Sequence, residues 1–215
     1  MCFSASISFT TAAVLTVAGV ITLKNTSNKK EYILASFPLI FALQQFVEGL
    51  SWLYLKDILQ GDPPYILLYI FNFCAEVLWP LLAPLGVFLI EPSKRRKIVM
   101  SPIIIGGILC SAYLFYCISA GTILISKQNH HIVYSLQHVF IFPYIDYIYL
   151  FIVSAAFLIS THRLIKLFGL LLIAAFIVTD IIAYQAYVSV WCFFAAVLSL
   201  ILCVHFWKSA RLNHK

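Results

Sequence analysis

The sequence predicts an all-α integral membrane protein, a bundle of seven transmembrane helices. Hydrophobic residues make up 63% of the chain and charged residues 10%, with a mean hydropathy of +0.99, whereas soluble globular domains carry roughly 25% charged residues. Successive apolar runs reach the ~20 residues that a membrane-spanning helix needs. These runs are too long and too uniformly apolar for barrel strands, which alternate over ~10 residues.

Seven apolar segments follow one another between polar or turn-forming connections. The third contains Pro80 and Pro84, which predicts a kink or tilt, and the fourth contains Gly106 and Gly107, which allow close helix approach. The polar lead before the first segment lacks the features of a signal peptide, so we expect that segment to remain. The predicted spans are about Ile7–Leu23, Tyr32–Leu55, Tyr65–Ile90, Ile98–Ile123, His138–Ile159, Leu164–Tyr184 and Val188–Trp207.

No internal repeat or linker divides these segments, so residues 1–215 are predicted to form a single domain. The longest connection, Ser126–Gln137, is interpreted as a loop.

The placement of basic residues predicts the orientation, because cytoplasmic connections are rich in Lys and Arg. Lys56 and Lys127 lie on one predicted side, and the other Lys and Arg lie on the opposite side. Those twelve are Lys24, Lys29, Lys30, Lys94, Arg95, Arg96, Lys97, Arg163, Lys166, Lys208, Arg211 and Lys215. We therefore expect the N-terminus outside and the C-terminus in the cytosol, in a plasma membrane. The positive charge reflects this topology, and no nucleic-acid module is visible.

Four acidic residues lie inside the predicted spans, and no Lys or Arg lies deep within one. They are Glu48, Glu76, Asp146 and Asp180. Each must be protonated, hydrogen-bonded, paired with His or bound to a cation. At ~1.5 Å per helical residue, all four fall in the outer half of the membrane. The pattern predicts an outward-facing acidic pocket for a metal ion, a proton or a small cationic ligand, as in a transporter or sensor.

The second span carries the densest polar cluster, the stretch 42–52. Gln44, Glu48 and Ser51 fall on one helical face, and ionisable groups at membrane depth usually face a bundle interior or a ligand. The predicted ligand-binding residues are Gln44, Gln45, Glu48, Trp52, Glu76, Asp146, Asp180 and Trp191. A protonated Glu48 that bonds to Gln or Ser across helices and only fixes the packing is an open alternative.

A divalent transition metal is a candidate cofactor, because imidazole, thiolate and carboxylate groups all occur at the outer end. The candidate ligands are Glu48, Glu76, His130, His131, His138, Cys2 and Cys192. If the loop were helical, His130, Tyr134 and His138 would share one side. Tight metal motifs are absent from the sequence, so solvated loop histidines are the alternative.

A membrane-embedded enzyme that acts on a lipid or small molecule is the second functional hypothesis. Cys2 or Cys192 would then be the nucleophile and Glu48 the acid or base. Cys2 and Cys192 are also candidates for a disulfide in an oxidising exterior, or for inert structural cysteines. The third hypothesis is a structural or accessory subunit.

Several segments resemble an uncharacterised family of prokaryotic multi-span membrane proteins that begin MCFSA. The resemblance rests on residues 1–6, the stretch 45–52, Trp79-Pro80 with Pro84, and the segment SVWCFFAA at 189–196. It implies no activity, but it draws attention to Cys2, Glu48 and Trp191-Cys192.

Overall fold

The computed structural model describes residues 4–128, 131–139 and 141–213, and these residues are mostly helical. The helices are α1 (Ala5–Lys24), α2 (Tyr32–Ala35), α3 (Phe37–Leu55), α4 (Tyr65–Asn72), α5 (Trp79–Ile90), α6 (Lys94–Ala120), α7 (Ile145–Ile159), α8 (Arg163–Ala183), α9 (Tyr187–Leu198) and α10 (Leu200–Asn213). A π-helical turn, Phe73–Leu78, joins α4 to α5, and 3-10 turns occupy Lys29–Glu31 and Tyr184–Ala186. Two strands, β1 (Thr122–Gln128) and β2 (His131–Gln137), complete the fold.

Several helical stretches are long and apolar enough to cross a membrane, as predicted. They are Ala5–Lys24, Lys29–Leu55, Tyr65–Ile90, Lys94–Ala120 and Arg163–Arg211. The last contains α8, α9 and α10, and the apolar α7 is shorter. Large apolar side chains point outward from these helices, for example Ile98 (72% exposed) and Ile181 (76% exposed). Such extended apolar surface marks a face that meets another apolar environment.

The predicted loop between the fourth and fifth segments is a β-hairpin. β1 and β2 pair antiparallel, from Thr122 opposite Gln137 to Gln128 opposite His131. Consequently α6 ends at Ala120 rather than near Ile123, and α7 begins at Ile145 rather than at His138. The physical reason is a chain rich in β-branched residues, which favour the pleated, half-buried surface of a strand.

The described residues of this segment are not helical, so the prediction that His130, Tyr134 and His138 share one side of a helix is wrong. Tyr134 lies on β2, and His138 follows the strand with a left-handed φ of 65°. His130 lies outside the described residues.

The third predicted span is interrupted where the sequence predicts a kink. Pro80 has no N–H to bond the carbonyl of Glu76, the residue four positions earlier. The chain forms the wider π-helical turn just before it, and neighbouring helices bind carbonyls of that turn. Tyr149 of α7 donates its hydroxyl to the Ala75 carbonyl, and Ser111 of α6 donates to the Val77 carbonyl at 2.7 Å. The irregular turn is thereby held in place with Glu76 at its centre.

Close contacts at glycines bring α1 against α3. A Cβ at Gly19 would lie 2.6 Å from the Leu39 side chain, and one at Gly49 would lie 2.8 Å from the Phe9 ring. The two helices therefore run antiparallel, with Phe9 at the level of Gly49. This places the start of α1 beside the polar stretch of α3.

The bundle has two chemically distinct ends. We call the end that carries β1, β2 and the start of α1 the hairpin end. The basic end comprises the turns 25–31, 91–93 and 160–162 together with the C-terminal part of α10.

Candidate functional site

The polar face of α3 is completely buried. Gln44, Gln45, Glu48, Ser51 and Trp52 each have 0% exposed surface. On the opposite face of the same helix, Leu43 and Phe46 are about half exposed. The predicted inward direction of the polar face is confirmed, so apolar side chains cover the outside of α3 and polar ones face the bundle.

Both carboxylate oxygens of Glu48 accept hydrogen bonds. Gln45 of the same helix donates its Nε2 to Glu48 Oε2 at 3.1 Å, and Ser189 of α9 donates its hydroxyl to Glu48 Oε1. Glu48 therefore links α3 to α9 inside the bundle. This contact is the one that the packing alternative predicted for Glu48.

Other polar atoms in this region have no hydrogen-bond partner among the residues that the structure describes. They are Gln44 Oε1 and Nε2, Gln45 Oε1, Trp52 Nε1 and Ser8 Oγ. The Gln44 amide approaches the Cys192 thiol, but a thiol is a weak acceptor and donor. An unsatisfied buried polar group costs about 1–3 kcal/mol, so a cluster of them marks a place where water or a ligand is expected.

A cavity of about 70 Å³ lies at the hairpin end, beside this polar face. The π-helical turn, α6, α7, α8, α9 and β2 all contribute to its walls. Two of the predicted acids, Glu76 and Asp146, line it together, and none of the described lining residues is Lys, Arg or His. A cavity needs roughly 10–15 Å³ to hold one water molecule, so this cavity has room for a group of a few heavy atoms.

Four aromatic side chains form much of the cavity wall: Tyr149, Phe176, Tyr187 and Trp191. The Trp191 ring lies edge-on to Tyr149 and Phe176, with ring centroids 5.6 and 5.2 Å apart. Trp191 Nε1 also donates to the Leu172 carbonyl at 3.1 Å. The rings are therefore fixed by packing and hydrogen bonds before any ligand enters.

Asp146 is the electrostatic centre of the acidic group. Tyr187 donates its hydroxyl to Asp146 Oδ1 at 2.5 Å. Asp146 is also close enough to Glu76 and Asp180 for their charges to interact. Asp180 does not line the cavity, so only part of the predicted acidic pocket is assembled there.

The start of α9 connects the two polar regions. Tyr187 bonds to Asp146, Ser189 bonds to Glu48, and Cys192 lines the cavity. Glu48 itself is not among the lining residues. The predicted acids therefore do not share one pocket. Glu48 lies on one side of the start of α9, and Glu76 and Asp146 line the cavity on the other side.

The predicted metal ligands do not form a cluster in the described part of the chain. Within residues 4–128, 131–139 and 141–213, no group of three or more His, Cys, Asp or Glu is arranged to hold a metal ion. His131 lies on β2, and Cys192 is a buried thiol. Cys2 and His130 lie outside the described residues, as does the predicted disulfide of Cys2 with Cys192.

The predicted ligand-binding residues do not include Tyr149, Phe176 or Tyr187, although Tyr187 shares a predicted helical face with Asp180. Tyr149 lies three positions after Asp146, and residues at this spacing share a helical face. That spacing is a signal that would have found it. Phe176 carries no comparable signal, and the places of Phe176 and Tyr187 depend on how α8 and α9 pack.

The whole chain is similar to one known protein family. Residues 1–215 match the model of a family of unknown function (DUF6629). No curated protein and no solved structure matches the chain.

Proposed function

Since the chain belongs to this family of unknown function, we propose its activity from the site: it binds a small organic cation in the cavity at the hairpin end. The observation that carries the proposal is the pairing of Glu76 and Asp146 in one cavity that has aromatic walls and no basic lining residue. The resemblance to an uncharacterised family is confirmed by the family match, which assigns no activity.

The charge of the lining favours a cation. Two carboxylates close enough for their charges to interact cannot both ionise cheaply in a water-poor site. A cation between them would remove this repulsion. An anion would increase it, because no described lining residue supplies a compensating positive charge.

The aromatic walls favour an organic cation over a bare ion. Trp, Tyr and Phe rings attract ammonium groups through their negative faces, and aromatic cages recognise methylated ammonium groups in this way. A small metal ion instead requires several oxygen, nitrogen or sulfur ligands, and the walls are mainly carbon. The volume of about 70 Å³ suits a head group the size of a methylated ammonium.

The proposal includes the membrane setting. We place the chain in a plasma membrane as seven spans, with the N-terminus outside, because Lys and Arg are concentrated at the basic end. The hairpin end would then face the exterior. A cation bound there would be sensed or taken up from outside the cell.

The direct test is ligand-dependent thermal stability of the purified protein in detergent. Tetramethylammonium chloride should raise Tm saturably above the effect of sodium chloride at equal ionic strength, because a ligand that binds only the folded state stabilises it. Glu76→Gln and Asp146→Asn should each abolish this rise. Asp146→Asn keeps an acceptor for Tyr187, so the fold is expected to persist.

Asp62→Asn, in an exposed connection, is the charge-matched control and should retain the full Tm rise. If all three variants respond like the wild type, the cavity is not the cation site. A Tm rise with zinc chloride but not with tetramethylammonium would replace the organic cation with a metal ion.

A further inference from the structure

A second cleft lies at the basic end, away from the cavity. It has a volume of about 340 Å³ and is lined by residues from four separate parts of the chain. These parts are the turn before α2, the segment from the end of α5 to the start of α6, the turn before α8, and α10.

Two histidines face each other in the cleft. The rings of His162 and His205 lie with centroids 5.0 Å apart at an interplanar angle of 69°. His162 Nε2 lies 3.5 Å from the Ile90 carbonyl oxygen. Both rings are partly exposed to the cleft. A neutral imidazole has one N–H, so a ring donates to a ligand in the tautomer that places this N–H toward the cleft.

Two lysines line the same cleft without carboxylate partners. In the part of the chain that the structure describes, neither Lys30 nor Lys97 forms an ion pair, and Lys97 lies over the Phe88 ring at 5.0 Å. Lys and Arg side chains elsewhere at this end add to the positive potential. Neither ammonium group is held by a carboxylate of the described residues, and the contact with the Phe88 ring leaves the other side of the Lys97 ammonium open to an anion.

The two acids in the cleft already have hydrogen-bond donors. Glu91 Oε2 accepts from the Thr161 N–H at 2.7 Å, and Oε1 accepts from the Thr161 hydroxyl and from the Ser93 N–H at 3.2 Å. Glu31 Oε2 accepts from the Ser27 N–H at 2.8 Å. Arg96 also lies close enough to Glu91 for their charges to interact. These donors occupy the carboxylate oxygens and direct them toward the turns 27–31 and 91–93 and toward Thr161, so neither acid forms an ion pair with Lys30 or Lys97 within the described residues.

We propose that this cleft binds a phosphate group, which Lys30 and Lys97 hold by charge and His162 and His205 by hydrogen bonds. Phosphate oxygens accept several charge-assisted bonds at once, and basic pockets between helices at a membrane surface suit phospholipid head groups. The group comes from an anionic phospholipid or from a soluble phosphate compound. The inference does not depend on the cation cavity, which lies at the other end of the bundle.

The test measures phosphate binding in two arms. Inorganic phosphate is added to protein in a neutral detergent, with sodium chloride of equal ionic strength as reference. In the other arm the protein is placed in nanodiscs of phosphatidylcholine with or without phosphatidylglycerol. Tm and the number of retained phospholipids per protein are measured in the full-length chain.

We expect specific binding in at least one arm. Lys97→Gln and His205→Gln should each weaken it about tenfold or more, as the loss of one charge-assisted contact predicts. Lys94→Gln, exposed on the same helix and outside the cleft, and His138→Gln, at the other end, should leave it unchanged. Binding of inorganic phosphate identifies a soluble phosphate site, and binding of phosphatidylglycerol alone identifies a head-group site.

Two outcomes would overturn the proposal. One is the absence of a specific effect of either probe. The other is a loss in Lys94→Gln equal to that in Lys97→Gln, since this would mean that the net charge of the surface, and not the cleft, attracts phosphate.

Discussion

Ser189 of α9 donates its hydroxyl to the Glu48 carboxylate of α3, and the two residues are 141 positions apart in the sequence. This bond joins the helix with the buried polar face to the segment that also carries Tyr187 and Cys192. Glu48 is completely buried, so the bond fixes the relative position of α3 and α9. The cavity depends on that position, because α9 supplies one of its walls.

Ser189→Ala should lower the free energy of unfolding by about 1–3 kcal/mol, because it leaves one oxygen of a buried carboxylate without this donor. Ser154→Ala is the matched control, since the buried Ser154 bonds only to Leu150 of its own helix, at 2.6 Å. Denaturant titration in detergent measures both. Equal losses in the two variants would mean that the interhelical bond has no special weight.

Replacing either of the adjacent residues Gln44 and Gln45 by Leu should have opposite effects on the stability of the fold. Gln44→Leu removes two polar atoms that have no hydrogen-bond partner within residues 4–128, 131–139 and 141–213, and it should leave stability unchanged or raise it. Gln45→Leu removes the donor to Glu48 Oε2 and should cost about 1–3 kcal/mol. Thermal unfolding of both variants, with and without tetramethylammonium, measures the two changes in stability. A large loss in Gln44→Leu would show that its amide is satisfied by bound water or ligand.

Two adjacent glycines of α6 offer a second matched pair. A Cβ at Gly107 would collide with the Pro80 carbonyl oxygen, whereas one at Gly106 would meet Ile152 at 3.8 Å, an ordinary contact. Gly107→Ala should therefore destabilise by about 1–3 kcal/mol, the usual cost of overpacking. Gly106→Ala should be neutral or stabilising by up to about 1 kcal/mol, since Ala is the better helix former. Similar behaviour of the two variants would contradict the close approach of α5 and α6.

Glu91 should make stability depend on pH. Burial by itself raises the pKa of its carboxyl, but hydrogen bonds from Thr161 and Ser93 and the charge of Arg96 outweigh burial and place the pKa below its usual value. A lowered pKa stabilises the fold above the unfolded value of about 4.3, and this contribution disappears as the pH falls through the folded value.

Glu91→Gln should therefore be less stable than the wild type at neutral pH, and the difference should shrink below about pH 4. Thr161→Val, which removes one of the donors, should reproduce part of the effect. Unfolding is followed at several pH values. A difference between wild type and Glu91→Gln that stays constant down to pH 3 would argue against a lowered pKa.

The proposed topology predicts which end of the bundle supports an active cytosolic reporter protein and which end supports an active extracellular one. Green fluorescent protein fused after Lys215 should fluoresce in bacterial cells, and alkaline phosphatase inserted in the connection between α3 and α4 should be active. The physical reason is the concentration of Lys and Arg at the basic end. The reverse pattern would mean that the proposed orientation is inverted and that the cavity at the hairpin end lies on the cytosolic side.

The helical framework was predictable because long apolar runs can hardly form anything else in a membrane. The hairpin was not predicted, although Ile123, Ile125, Ile132 and Tyr134 lie on it and favour strands. Length and hydropathy alone do not separate the apolar residues of the hairpin from those of the neighbouring helices. Alternation over seven residues is a weak signal beside a run of twenty.

The candidate site was predictable only in part. The buried face of α3 follows from the 3.6-residue period. The depth of each acid in its helix predicts a similar level for all four, but depth alone does not determine that Glu76 and Asp146 line the cavity while Glu48 and Asp180 do not. The separation of Glu48 from that cavity could not be foreseen, because it depends on the π-helical turn before Pro80 and on the rotation of α9. These are properties of packing between distant segments.

The distance in sequence between Glu48 and Ser189 has a consequence for biosynthesis. At ~5–20 residues per second, a ribosome needs roughly 7–28 s to add the 141 residues that separate them. During this interval the carboxylate can bond to Gln45, three positions away in the same helix, which emerges just before it. Gln45 thus provides a donor within the same helix before α9 exists, and Ser189 can bond to the other carboxylate oxygen only after α9 has been inserted.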